Sequence, residues 1–244
     1  MTKSDSPPVP SERRSAQLPE DAAQTLEHLL AARVSYRAFR AEPVPEETIR
    51  KILTTAQLTA SWCNSQSWKV AITRGMGTDR LRNALHSAAI SGTTEKPDFP
   101  FPREYRGVHR ERRRESGFQL YNALGIERAD RARQQEQALQ NFNFFGAPHV
   151  AFIHTDEALG AYGAVDCGGY VSNFLTVAAS HGIGTVAQAA LAMYPTVVRR
   201  ELDLSEDRSI VCGISFGYPD LDHPVNSYRT RRASDDEVVD WIDQ

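Results

Sequence analysis

From Ser209 to Phe216 the chain carries eight residues, SIVCGISF, without a single charge. A run that short and that apolar predicts a strand buried on both faces, so something must cover it on each side. His149–His154 is a second short apolar run of the same kind. Lys69–Arg74 alternates instead, with Val70 and Ile72 on one face. Thr185–Gln188 begins a further extended piece. Helical stretches precede, separate and follow these strands without regular βαβ alternation, an order that predicts an α+β fold.

Asp21 is placed to cap a first helix whose stripe is Leu26, Leu29 and Leu30, with Arg33 at its end. Pro45 suits a first helical position, followed by Ile49, Ile52, Leu53, Ala56 and Ala60. Thr78 is a plausible cap for a helix carrying Leu81, Leu85 and Ala88. Gly160–Gly182 predicts one long helix, with Val171, Phe174, Leu175 and Ala178 at helical spacing. Gly163, Gly168 and Gly169 inside it suggest close approach by another backbone, a ligand or a partner subunit's helix. Val197, Val198 and Leu202 mark a last helix. Residues 97–145 begin with helix-breaking Pro97, Pro100 and Pro102 and continue as a charged, helix-compatible stretch. Apolar residues are sparse in its charged part, with Phe118, Tyr121 and Leu124 making one short stripe, and an aromatic cluster follows at Phe142, Phe144 and Phe145. It reads as an excursion packed over something, not as central core. Residues 1–21, rich in Pro, Ser and charge, read as a solvated tail. Residues 22–244 then form one domain, ending in an arm over 217–244 that is apolar enough near Trp241 to dock.

At 41% hydrophobic, 24% charged and a formal net charge of −3, the composition fits an ordinary soluble protein and argues against whole-surface nucleic-acid binding. The arginine-rich run Arg103–Arg114 is interleaved with Glu104 and Glu111 and lacks a matching set of aromatics for base stacking, so it reads as a solvated helix face. No apolar run reaches the length of a membrane span, and no secretory signal is evident. Cys63, Cys167 and Cys212 are too few and too scattered for a disulfide framework or a zinc site, and read as buried or partly buried thiols in a reducing cytoplasm. The histidines show no metal-ligand spacing, so no metal is expected. The glycine and histidine signatures of dinucleotide, nucleotide, hydrolase and zinc-protease sites are all missing. An enzyme without an obvious acid, base or nucleophile suggests a bound cofactor that carries the chemistry. Arg33, Arg37, Arg229 and Arg231 are suited to an anion, because guanidinium groups match phosphate oxygens with paired donors.

Four segments then carry a resemblance. Arg33-Val34-Ser35-Tyr36-Arg37-Ala38-Phe39 with Pro43-Val44-Pro45-Glu46-Glu47, then Ser61-Trp62-Cys63-Asn64-Ser65-Gln66-Ser67-Trp68, His181 through Leu191, and finally Ile214–Pro219 with Tyr228–Ala233 resemble, in that order, the FMN-dependent nitroreductases. Ser67 stands where that pattern usually has proline, and Trp62 and Cys63 are bulkier than the usual small residues. The resemblance covers roughly residues 22–241. It implies a three-layer fold with a central, mostly antiparallel sheet flanked by helices, in an intertwined homodimer with FMN at the subunit interface.

By the same resemblance the FMN phosphate would be held by Arg33, Arg37, Arg229 and Arg231, with Val34 and Ser35 beside it. The Ser61, Trp62, Asn64 and Gln66 loop would reach the flavin held mostly by the other subunit, and the Asn64 and Gln66 amides, which both donate and accept, would suit the ring's pyrimidine edge. Backbone N–H groups near Gln188, Ala189 and Ala190 would face flavin N5. No protein side chain is expected to be catalytic in itself. NADPH or NADH would reduce the flavin and leave. A nitroaromatic would then be reduced in the same pocket, to nitroso and hydroxylamine products, by a ping-pong mechanism. Trp62, Phe118, Tyr121, Phe142 and Phe144 are the expected pocket walls, with 97–145 as a lid or as dimer packing. The rival readings are a flavin enzyme acting mainly on quinones or enones, and a flavin-binding sensor without turnover.

Overall fold

The computed structural model describes residues 18–243, so most of the expected N-terminal tail lies outside the described residues. Its centre is β4 (Arg208–Gly217), paired on one side with β2 (His149–Asp156) and on the other with β3 (Gly184–Gln188). β1 (Lys69–Thr73) adds to the outer side of β2, giving the order β1-β2-β4-β3 with every pair antiparallel. Both apolar runs are therefore inner strands. Successive residues of β2 serve opposite faces: Ala151 and Ile153 enter one core, Val150 and Phe152 the other.

Helices cover both faces, which explains why the inner strands need no polar side. On one face lie α2 (Glu46–Ala56) and α6 (Gly160–Ser180), contributing Ile49, Ile52, Tyr170 and Phe174. On the other lie α3 (Met76–Ile90) and α7 (Pro195–Leu202), contributing Leu81, Leu85, Val197 and Val198. This is the expected three-layer α+β architecture. α1 (Ala22–Ala32) packs on the outside of α6 and buries no residue; Leu26 and Leu30 remain about half exposed. α4 (Gly107–Ala123) and α5 (Arg131–Leu139) form the excursion, and neither buries a residue.

Several local expectations need correction. Asp21 occupies the N-cap of α1, but its side chain makes no capping bond. Pro45 is the residue before α2 and not its first helical position. Thr78 is not a cap: α3 starts earlier, after Gly75, and the buried Thr78 hydroxyl bonds Thr73 Oγ1 at 2.9 Å and the Pro148 carbonyl at 3.1 Å. Cys63 is exposed, whereas Cys167 and Cys212 are buried. Phe142 and Phe144 belong to the core beneath α3, with Phe144 wholly inaccessible, so neither ring offers a face to a substrate. The end of the arm is not covered by the rest of the same chain: Trp241 and Ile242 are about 80% exposed.

Two glycines set how closely elements approach. A Cβ on Gly213 of β4 would crowd the buried Leu191 side chain, with Leu191 Cβ at 3.2 Å, so glycine there lets the turn after β3 lie close on the sheet. A Cβ on Gly163 would meet Thr155 Oγ1 at 2.9 Å, which fixes α6 tightly over β2. Gly168, by contrast, has nothing near it among the described residues.

Candidate functional site

The segment after α1 is irregular but firmly held. Ser35 bridges Thr185 of β3, and the Tyr36 N–H donates to the Thr185 carbonyl at 3.0 Å. The Arg37 N–H donates to Asn226 Oδ1 at 2.8 Å, while the Asn226 amide donates to the carbonyls of Ala38 and Asp220. Asn226 is buried and satisfied on both its oxygen and its nitrogen, so it locks the N-terminal segment onto the C-terminal arm. The Arg37 guanidinium donates to Tyr228 Oη at 2.8 Å. Burial pushes the Tyr228 phenol up from its ordinary value, so it stays protonated as Arg37's acceptor.

These contacts shape a cleft of about 380 Å³ lined by Arg33, Val34, Ser35 and Arg37 from one end of the chain and Tyr228, Arg229, Thr230 and Arg232 from the other. Ser116 of α4 closes a third side. Four guanidinium groups face this space and no carboxylate lines it. Arg229 is braced by the carbonyls of Asn226 and Tyr228, each at 2.8 Å. Arg33 makes no ion pair among the described residues. Such a site fits a dianionic phosphate monoester: the cationic side chains are numerous and no acidic side chain lines the cleft beside them.

Arg231 departs from the expectation. It turns away from the cleft, is 83% exposed and pairs with Glu115 at 3.0 Å. Its neighbour Arg232 lines the cleft instead. Arg232, Tyr228, Thr230, Asn226 and Ser116 are the residues that sequence reasoning missed. The first three sit inside a quoted segment, but Ser116 carries no sequence signal because only the packing of α4 brings it in.

β3 leads away from the cleft toward Gln188, Ala189 and Ala190. The Gln188 side chain is consumed internally: its nitrogen donates to the Asn141 carbonyl at 2.9 Å and its oxygen accepts from Ser215 Oγ at 2.5 Å. Only backbone is left for a ligand there. Ala189 starts a 3-10 turn to Met193, and the first N–H groups of such a turn have no partner inside it.

The Ser61–Ser67 loop lies elsewhere. None of its residues lines the arginine cleft of the same chain. Cys63, Asn64 and Gln66 all have left-handed backbones, with φ of 49°, 54° and 48°. For residues other than glycine this costs about 1–2 kcal/mol each, less for Asn, and such clusters gather at functional sites. Gln66 accepts from Gln57 Nε2 at 3.0 Å, and its own amide nitrogen lies within 3.3 Å of Asn64 Oδ1. Trp62 is 58% exposed and packs edge-on against Tyr162 at 4.5 Å. Phe118, 40% exposed, sits under the guanidiniums of Arg114 and Arg128, and Tyr121 is half-buried; neither lines the cleft.

Alternative chemistry finds little support. Burial pushes the Cys167 and Cys212 thiols up to about 11 and about 12, so both stay protonated. His149 is a satisfied core histidine, its Nε2 accepting from the Val44 N–H at 3.0 Å. Among the described residues no group of three metal-ligating side chains converges, and no helix is long and apolar enough to cross a membrane.

Comparison with known proteins gives a consistent result. Residues 30–218 match the family described as the nitroreductase family. The chain is 40% identical to the nitroreductase NfnB of Mycolicibacterium smegmatis over 90% of its own length and 93% of the relative's. It is 30% identical to a 4-nitrobenzoate reductase of Nocardioides sp., covering 93% of this chain and 98% of that one. The crystal structure of FMN-dependent NfnB from Mycobacterium smegmatis in complex with NADPH superposes with a TM-score of 0.86 at 38% identity, over 90% of this chain and 99% of that chain. The FMN- and NADPH-dependent NfnB from sphigopyxis sp. strain HMH gives a TM-score of 0.85 at 32% identity, over 89% and 98%.

Proposed function

The chain belongs to the nitroreductase family, and from that premise we propose that it is an FMN-dependent oxidoreductase that takes reducing equivalents from NADPH and passes them to a nitroaromatic acceptor. The observation that carries the proposal is the cleft between the two ends of the chain, four arginines with no acidic lining. Arg33, Arg37, Arg229 and Arg232 would hold the phosphate, with Ser35, Ser116 and Thr230 hydroxyls serving its remaining oxygens. Gln188 follows Thr185 by three residues on β3, about 10 Å at the rise of a strand. That distance suits a ribityl chain, so the Ala189 and Ala190 N–H groups would meet the ring at its far end.

Bound FMN supplies a reversible two-electron carrier, which the protein's own side chains do not offer. The chain's contribution is to bind, orient and exclude water. Asn64 and Gln66 would meet the polar edge of the ring, and the exposed indole of Trp62 would form a wall for the acceptor. Phe118 and Tyr121 would belong to the lid formed by α4 and α5. Because the loop and the cleft of one chain stand apart, the site would be completed by a second copy, making a homodimer with the loop of each subunit serving the other. The exposed Leu26, Leu30, Val165 and Trp241 support such a partner. NADPH and acceptor would use one pocket in turn, which is ping-pong order. A nitro group taking two electrons and two protons loses water to become nitroso, and two more of each give the hydroxylamine. The free thiols fit a cytoplasmic location.

The purified protein should be yellow. Its visible flavin bands should bleach on anaerobic addition of NADPH and return when 4-nitrobenzoate is added. A colourless preparation that binds no added FMN, or flavin that neither nicotinamide bleaches, would sink the proposal.

A further inference from the structure

We infer that Asp166, on α6, is the positioning residue that holds the Ser61–Ser67 loop in its ligand-facing shape. The inference rests on the reading that this loop meets the flavin ring. Asp166 Oδ1 accepts from the Trp62 N–H at 3.1 Å. Its Oδ2 accepts from Ser65 Oγ and from Ser67 Oγ, each at 3.3 Å. The three donors at 62, 65 and 67 bracket the three left-handed residues at 63, 64 and 66. A backbone in that conformation persists only where its surroundings over-determine it.

The other restraints are local or hold one flank alone, as when Thr155 Oγ1 donates to the Ser67 carbonyl at 3.0 Å. Ser61 Oγ accepts from the Gln66 N–H at 2.9 Å, a bond inside the loop itself. Gln57 reaches the Gln66 side chain and the Trp68 indole, both on the C-terminal flank. From outside, only Asp166 grips both flanks of the left-handed stretch. It forms no ion pair among the described residues, so the capacity of its carboxylate goes to the loop and not to a surface cation. The arrangement also accounts for Ser67. Proline there would stiffen the backbone but carry no hydroxyl; serine gives that rigidity up and instead ties the loop to α6 by one hydroxyl proton shared between Asp166 Oδ2 and the Gly163 carbonyl, each at 3.3 Å.

The test compares Asp166→Ala, Asp166→Asn and Arg33→Ala with the wild-type holoenzyme, reading FMN affinity and the visible circular dichroism of bound flavin. Asp166→Ala should raise the Kd for FMN about tenfold and alter the flavin dichroism, because charge-assisted bonds are lost at the ring end. Asp166→Asn keeps the acceptor for the Trp62 N–H and loses the one shared by the two serines, so it should fall between; it also serves if the alanine variant does not fold. Wild-type Kd and dichroism in a folded Asp166 variant, even with a lowered Tm, would overturn the positioning role. If Arg33→Ala also binds FMN as the wild type does, it is the assignment of the cleft that fails instead.

Discussion

Arg33 and Arg231 differ in what surrounds them more than in what they are. Arg33 lines a cleft without a carboxylate; Arg231 is spent on Glu115 in solvent. Arg33→Ala should therefore lose a charge-assisted contact worth roughly 1.5–3 kcal/mol, raising the Kd for FMN about ten- to a hundredfold. Arg231→Ala removes only a solvent-screened surface pair and should keep its flavin. Equilibrium titration with FMN checks both, and equal losses in the two variants would contradict the assignment. Arg33, Arg37 and Arg229 were legible in the sequence because their segments are matched in order. The choice between Arg231 and Arg232 was not, since neighbouring side chains on an extended arm point to opposite sides and nothing local sets the phase.

Among the elements, β2 carries an unspent polarity. His154 lies beside a register shift against β4, is 5% exposed, and its Nδ1 has no partner among the described residues. Burial, with Arg208 and Lys69 nearby, pushes its pKa down to about 4. In the unfolded chain it titrates near 6.5, so between those values the unfolded state binds the extra proton. Stability is complete above about pH 6.5 and is lost as pH falls toward 4, by about 3 kcal/mol in all. Tm measured from pH 7 to 4 should fall more steeply in the wild type than in His154→Leu; parallel curves would count against this origin. The strands and the α3 stripe of Leu81, Leu85 and Ala88 could be read from periodicity, because burial of one or both faces writes itself into the sequence. The Phe142–Phe145 cluster could not. It follows a charged stretch, and only the return of the chain beneath α3 turns those rings inward.

For the whole molecule, apolar surface is left over where a monomer would gain by hiding it: on α1, on α6 at Tyr162 and Val165, and at the end of the arm. Light scattering should give twice the chain's mass of 27.2 kDa. Val165→Glu should weaken the assembly and release flavin together with it; a variant that is monomeric yet still holds FMN would separate the cofactor from the interface. The pairing of a second chain was expected from resemblance alone, since no periodicity in one sequence says which exposed stripe meets a copy of itself.

The bond from the Arg37 N–H to Asn226 joins residues 189 apart in the chain. During synthesis the first half of the cleft must therefore wait, at roughly 5–20 residues per second, until almost everything else has been made. A prematurely terminated chain can complete β1, α3 and β2 and still lack half of the arginines. With the cleft assigned to FMN as proposed, cofactor loading would report that translation has passed residue 232, and a chain cut short of it would lack half of the proposed phosphate grip.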